Sequence, residues 1–468
     1  MPERDTNPQT NSFLTDPLAV TYAKTALPII FVMGMSGLLA VADALFLGHY
    51  VGPDALAAVT LMFPIYMLIV ALATLVSSGM SSVLARHLGG NRLDEARGVF
   101  AGAHGLALLM AAILITLFVL FGQSVATLAA GGSQDLAQMG LTYLRITVLF
   151  SPLLFVLSVN SDTLRNEGRV GFMAAMSLLV SLANIGFNYV LIAKLDMGVA
   201  GSAYGTSLAQ ALALIIIVTF RVRGATQLRL TAVLEHRLTY AWGRILALGA
   251  PQSLNFIGIA LGSGAIMAAL QIVDRGADAS QSYESTVSAY GIITRVLTFG
   301  FLPLLGLSHA MQTITGNNHG AGQWQRSNDS LKFATVAAFG YCAVLQLTMS
   351  LFATQIGAAF VDDPVVVAEV ARILPVLIAM FFLSGPLMMI ATYFQAIGDA
   401  GRAALLGLSK PYLFAIPLTF VLAARIGEIG IWMSGPLSDV LLLMLTVSVL
   451  GYGAKRGTKR FGLFQTAP

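Results

Sequence analysis

Four side chains, Asp43, Asn184, Asn188 and Thr206, place a carboxylate, two amides and a hydroxyl inside stretches that are otherwise apolar. Oxygen donors of these kinds can together hold a hard cation, or the carboxylate alone can take up a proton. An ionisable group at membrane depth costs several kcal/mol unless it meets a cavity or a partner, so its default reading is functional. Asp43 stands five residues before the end of its apolar stretch at Gly48, roughly 8 Å in at ~1.5 Å per residue. Asn184 and Asn188 lie one helical turn apart on one face, and Thr206 is about seven residues into the next stretch. The four share one depth and form the candidate site for a coupling ion, H⁺ or Na⁺. The two asparagines would serve equally as hydrogen-bonding glue between helices.

Arg295 and Asp439 are the other intramembrane charges, each about eleven residues from an outer helix end and so roughly 16 Å deep. Equal depth and opposite sign predict a structural ion pair in the second half of the chain, with a gate as the alternative role. Pro28 lies on the same stretch as Asp43 and frees a backbone carbonyl there, which makes it a candidate point of helix bending. The six histidines show no HExxH spacing, and Cys342 is the single cysteine, so no metal site is expected. No Walker-type loop supports direct use of ATP. Neither an enzyme activity nor a cofactor is expected.

The elements that must position these residues follow from composition. Hydrophobic residues make up 57% of the 468 and charged residues only 10%, where soluble proteins carry roughly 25%, which excludes the water-soluble classes and nucleic-acid binding. Apolar stretches long enough for a bilayer predict twelve helical spans: 24–48, 62–86, 99–121, 141–163, 170–193, 199–220, 244–273, 285–313, 330–353, 371–397, 403–424 and 429–452. With the N-terminus inside, twenty of the 26 Lys and Arg, Lys410 counted among them, fall on the cytoplasmic side and five on the other. The positive-inside rule then makes both termini cytoplasmic.

The halves repeat. Gly198 answers to Gly427, the turn at Gly168 to that at Gly398, His87-Leu88-Gly89-Gly90 to Asn318-His319-Gly320-Ala321, and Ala26-Leu27-Pro28 to Gly249-Ala250-Pro251. The offsets run from 223 to 231 residues, the smallest fitting an insertion in the loop 274–284. Six spans per half make the repeat parallel, a plan common in secondary transporters. The expected fold is an all-α polytopic membrane protein of two parallel pseudo-twofold six-helix lobes around a central cleft. Residues 1–22 form a mobile cytoplasmic tail, 23–221 the N-lobe, 222–243 a cytoplasmic connection, 244–453 the C-lobe and 454–468 a second cytoplasmic tail.

The chain resembles the MATE (multidrug and toxic compound extrusion) family, and within it the DinF-like branch. The likeness rests on Asp43 with Leu47-Gly48, the loop Gly52-Pro53-Asp54-Ala55-Leu56-Ala57-Ala58, Leu88-Gly89-Gly90-Asn91, Leu164-Arg165-Asn166-Glu167-Gly168, Asn184 through Asn188, and Gly198 to Thr206. In the second half Arg295, Pro303 and Gly316 to Gly322 are similar to the pattern of the family's eighth span. The resemblance implies an antiporter that expels amphipathic, often cationic, drugs or metabolites in exchange for H⁺ or Na⁺. It assigns the coupling ion to Asp43, Asn184, Asn188 and Thr206, and bending of the first span to Pro28. Asparagine at 188 departs from the family's usual aspartate, which weakens the case for tight Na⁺ binding. The implied setting is a bacterial inner membrane, as a monomer in the lipid bilayer, with a small amphipathic molecule as the partner. A flippase for lipids or lipid-linked oligosaccharides is the alternative within the wider superfamily.

Overall fold

The computed structural model describes residues 11–131, 133–224, 226–274, 280–455 and 461–464. Among them the fold is helical throughout, with no β-strand. Twelve spans run Leu18–Val51, Pro53–Gly89, Leu93–Ala129, Gln134–Asn166, Val170–Lys194, Gly198–Val222, Trp242–Val273, Tyr283–Gly320, Trp324–Leu351, Pro364–Ala396, Ala400–Ile426 and Glu428–Lys455, numbered 1 to 12 in that order. Most overrun the apolar stretches of the sequence because helix continues into polar ends that need no lipid. Both described chain ends lie on one side, called here the near face; the other is the far face.

Spans 4 and 10 are each broken, with bends of 47° between Gln134–Leu149 and Ser151–Asn166 and of 48° between Pro364–Leu377 and Phe381–Ala396. Proline explains both: Pro152 opens the helix after one break and Pro375 stands in the last turn before the other. Each ring removes a backbone N–H from the helical ladder.

The repeat is a structural fact. Gly168 and Gly398 turn with φ of 76° and 88°, Gly198 and Gly427 with 56° and 69°, and Asn91 and Gly322 with 54° and 72°. The insertion expected at 274–284 falls partly outside the described residues. The lobes meet backbone to backbone toward the near face. A Cβ on Gly79 of span 2 would fall 2.0 Å from the Ile245 carbonyl of span 7, and one on Gly249 would fall 1.9 Å from that of Leu75. Only glycine permits so close a crossing.

Polar bonds reinforce this seam. Gln395 of the C-lobe donates to Ser78 Oγ of the N-lobe at 3.1 Å and, within its own lobe, to the Leu248 carbonyl at 2.6 Å, while Ser82 donates across to the Gln395 carbonyl at 2.5 Å. Arg165, paired with Asp162 at 2.9 Å in its own lobe, donates across to Thr313 Oγ1 at 3.1 Å. Leu117, Val119, Leu120 and Leu128 on span 3 and Val336, Val344, Leu347 and Leu351 on span 9 are exposed. In water they would be a liability; toward acyl chains they are the expected surface.

The segment expected to be a mobile tail is docked where it is described. Ser12–Thr15 form a short helix capped by Asn11, and Phe13 is only 3% exposed. Phe13 packs in a cluster that takes Leu164 and Val170 from the N-lobe and Ile314 and Leu331 from the C-lobe. Its carbonyl accepts from Asn318 at 3.1 Å and from Arg326 at 3.2 Å. The ring and these polar bonds together fasten it, with Asn11 donating to Asn317 at 2.9 Å. Residues 1–10 lie outside the described residues.

The connection between lobes is tied to the N-lobe. Glu167 and Arg221, both fully buried, pair at 3.2 Å, and they grip Leu228 from both sides: its N–H donates to Glu167 at 2.8 Å and its carbonyl accepts from Arg221 at 2.8 Å. Burial pushes the Glu167 carboxyl above the usual carboxylate range, and the Arg221 charge pulls it back only in part.

Candidate functional site

Asp43, Asn184, Asn188 and Thr206 come together in the far half of the N-lobe, where spans 1, 5 and 6 meet. Asp43 sits one turn before a π-helical segment, Leu47–Val51, and Asn188 is the last α-helical residue before another, Tyr189–Lys194. Such wide turns recur at functional sites because they shift a helix face out of register.

The geometry centres on one oxygen. Asn188 Nδ2 donates to Asp43 Oδ1 at 2.5 Å. The Asn184 amide is oriented with its oxygen toward Thr206, accepting from Thr206 Oγ1 at 2.8 Å and from Thr206 N at 3.2 Å, which turns its nitrogen to Asp43 Oδ1 at 2.9 Å. This orientation keeps the amide oxygen away from the Asp43 carboxylate and sets its nitrogen 3.1 Å from Asn188 Nδ2; turned over, the amide would donate to Thr206 Oγ1 at 2.8 Å and accept from Asn188 Nδ2 at 3.1 Å. Asn184 and Asn188 are fully buried, whereas Asp43 is half-buried. Two amide donors therefore converge on a carboxylate that keeps one open side. Asn188 Oδ1 is buried without a hydrogen-bond partner.

Gly205 belongs to this site and had no signal in the sequence. A Cβ there would fall 2.0 Å from Asn188 Oδ1, so span 6 must carry glycine for the amide to reach Asp43. Pro28 is not at the site: it stands fifteen residues toward the near face, roughly 22 Å along the helix, inside a helix that runs unbroken to Phe46.

The expected pairing of Arg295 with Asp439 is corrected by the structure. Asp439 pairs with Lys410 at 2.6 Å, and Ser384 donates to the same carboxylate oxygen at 2.9 Å. Lys410 was placed at the cytoplasmic end of its span. It lies ten residues inside span 11, about 15 Å from Ala400, drawn in by a partner that hydropathy cannot see. Arg295 is exposed and makes no ion pair with Asp439. Among the described residues no group of three or more His, Cys, Asp or Glu could hold a metal ion.

Two parallel six-helix lobes around a cleft are a plan common to secondary transporters. The chain belongs to the MatE family, whose model matches it twice, over residues 28–190 and 258–421. The two matches begin 230 residues apart and end 231 apart, which is the internal repeat seen again.

Among curated relatives, the FAD transporter of Shewanella oneidensis is 23% identical over 437 residues, covering 92% of this chain and 94% of that one. The multidrug export protein MepA of Staphylococcus aureus is 22% identical over 432 residues, covering 91% and 92%. Among solved structures, an outward-facing multidrug resistance MATE family transporter superposes with a TM-score of 0.81 at 21% identity, covering 93% of this chain and 95% of that one. A MATE protein in the bent conformation gives 0.83 at 22% identity, covering 94% and 95%. At such identity these structures share the fold.

Proposed function

We propose that this protein is an antiporter of the DinF-like branch that exports amphipathic, cationic compounds in exchange for protons taken up at Asp43. The observation that carries the reading is the convergence of two amide N–H groups on one oxygen of Asp43. A sodium site needs several oxygens turned inward. Here the neighbours turn nitrogens inward, an arrangement that suits a carboxylate alternating between ionised and protonated forms. Ionised, Asp43 holds Asn184 and Asn188, and through Asn184 also Thr206. Protonated, it loses the charge that strengthens those bonds and loosens spans 5 and 6 from span 1. Pro28 gives span 1 a missing hydrogen bond at which to bend in response.

Alternating access then requires the seam at Gly79, Gly249, Ser78 and Gln395 to part while the far halves close. The basic residues gathered at the near face make that face cytoplasmic in a bacterial inner membrane. The transporter acts as a monomer, since one chain supplies both lobes.

The test is Asp43→Asn in everted membrane vesicles, with ethidium as the cationic probe. The variant should insert normally and lose proton-driven uptake at least tenfold. Full uptake by the variant, or wild-type uptake that follows a sodium gradient at fixed pH, would overturn the assignment.

A further inference from the structure

Lys410, Asp439 and Ser384 form a compact polar site in the C-lobe that the coupling chemistry of Asp43 does not use. Lys410 Nζ lies 2.6 Å from Asp439 Oδ1 and 3.0 Å from Ser384 Oγ, and Ser384 in turn donates to Asp439 at 2.9 Å. The acid is the hidden member: its side chain is 7% exposed, against 34% for Lys410. A lysine ammonium has three N–H donors, and two are engaged here. Among the described residues the third has no hydrogen-bond partner.

The backbone is built around this lysine. Lys410 is the second residue of a π-helical segment, Ser409–Ala415, in the middle of span 11. Pro411 packs against Gly258 of span 7, and the Tyr412 hydroxyl donates to the Leu254 carbonyl at 2.8 Å, so the wide turn is pinned from outside. Lys410 reaches inward from that turn onto span 10 and span 12. A lipid-facing ammonium at this depth is strongly disfavoured, so its exposed third opens into the lobe.

The repeat gives the site its meaning. Spans 7, 11 and 12 answer to spans 1, 5 and 6, which carry Asp43, Asn184, Asn188 and Thr206. With the offset of about 230, Lys410 answers to Val180 and Asp439 to Gln210, each one helical turn nearer the near face than Asn184 and Thr206. The two lobes thus carry their charges on corresponding helices but one turn apart, a carboxylate in the N-lobe and a lysine held by an acid in the C-lobe. A structural ion pair alone needs neither an exposed base nor a pinned π turn, and a buried pair is weak support for stability.

We propose that Lys410 binds an oxyanion, carboxylate or phosphate, on the transported compound, with Asp439 and Ser384 holding the ammonium in place. The transported class is then amphipathic and zwitterionic, carrying an oxyanion for Lys410 beside the cationic group. The inference rests on the export reading but not on proton coupling, because binding at equilibrium needs no gradient.

The experiment is calorimetric titration of the full chain in nanodiscs with 2-naphthoate, 1-naphthyl phosphate and uncharged 2-naphthamide. One charged-group hydrogen bond corresponds to roughly a tenfold change in affinity or more. At least one oxyanion should bind about tenfold more tightly than the amide, and which one does identifies the group. Lys410→Gln should abolish that preference, and Asp439→Asn, by freeing the ammonium, should strengthen it. Should either single variant fail to fold, Lys410→Gln with Asp439→Asn removes both charges together and should bind like the amide. No oxyanion preference in the wild type overturns the proposal. So does an affinity unchanged within about twofold in Lys410→Gln or in the double variant, or equal weakening by both single variants. Loss of gradient-driven export in Asp43→Asn with this binding intact separates the two readings.

Discussion

Asn188 Oδ1 occupies the place where a Cβ at position 205 would stand, only 2.0 Å away. The amide that holds Asp43 is therefore set by the absence of a side chain on the neighbouring span. Gly205→Ala should push Asn188 off Asp43 or force spans 5 and 6 apart, an overpacking penalty of about 1–3 kcal/mol. Export should fall about tenfold while the amount of inserted protein stays near normal. Transport at the wild-type rate in vesicles would show that the Asn188 contact is dispensable.

Gln395 stands at the centre of the near-face seam, donating to Ser78 and Leu248. Gln395→Ala removes both bonds, but only the one to Ser78 joins the two lobes; at about 1 kcal/mol its loss should shift the population toward near-face opening by roughly fivefold. Spin labels at Asp94 and Gln325, both exposed on that face, should report a longer mean distance in the variant. An unchanged distance distribution would remove Gln395 from the closing mechanism.

Glu167 and Arg221 are both buried, so removing one leaves the other without a countercharge. Glu167→Gln should destabilise the N-lobe by about 3 kcal/mol and release the connection around Leu228. Earlier proteolysis within 223–243 and a lower thermal midpoint are the expected readouts. Glu167→Gln combined with Arg221→Met should recover much of the loss, and a double variant as unstable as the single one would count against the pairing argument.

Phe13 wedges between the lobes, and Phe13→Ala should cost about 3 kcal/mol of the contact that holds the near face shut. Backbone amides of Ser12–Thr15 should then exchange with deuterated water at the rate of a free peptide. Protection equal to wild type would mean that the carbonyl contacts to Asn318 and Arg326 suffice without the ring.

Much of this was readable in the chain. Asn184 and Asn188 share a face because four residues make one turn, and the equivalence of Gly168 with Gly398 follows from spacing alone. Gly205 was not readable, since its necessity comes from a side chain on another span. Lys410 was misplaced because hydropathy measures the length of an apolar stretch and says nothing of the acid on the next span that draws a base inward. The broken spans 4 and 10 read as single stretches because lipid sees the same apolar length whether the axis bends or not. Phe13 lay in a segment whose average polarity hid the one ring that docks.

Asp43, the one carboxylate among the four residues of the N-lobe site, also sets the electrical character of the exchange proposed for it. One proton entering against one monovalent cation leaving moves no net charge across the membrane, so voltage contributes nothing and the pH difference alone supplies the work. Each pH unit then sustains about a tenfold concentration ratio of exported compound. Should the compound also carry the oxyanion inferred for Lys410, the cycle would become electrogenic, and membrane potential would begin to help drive it.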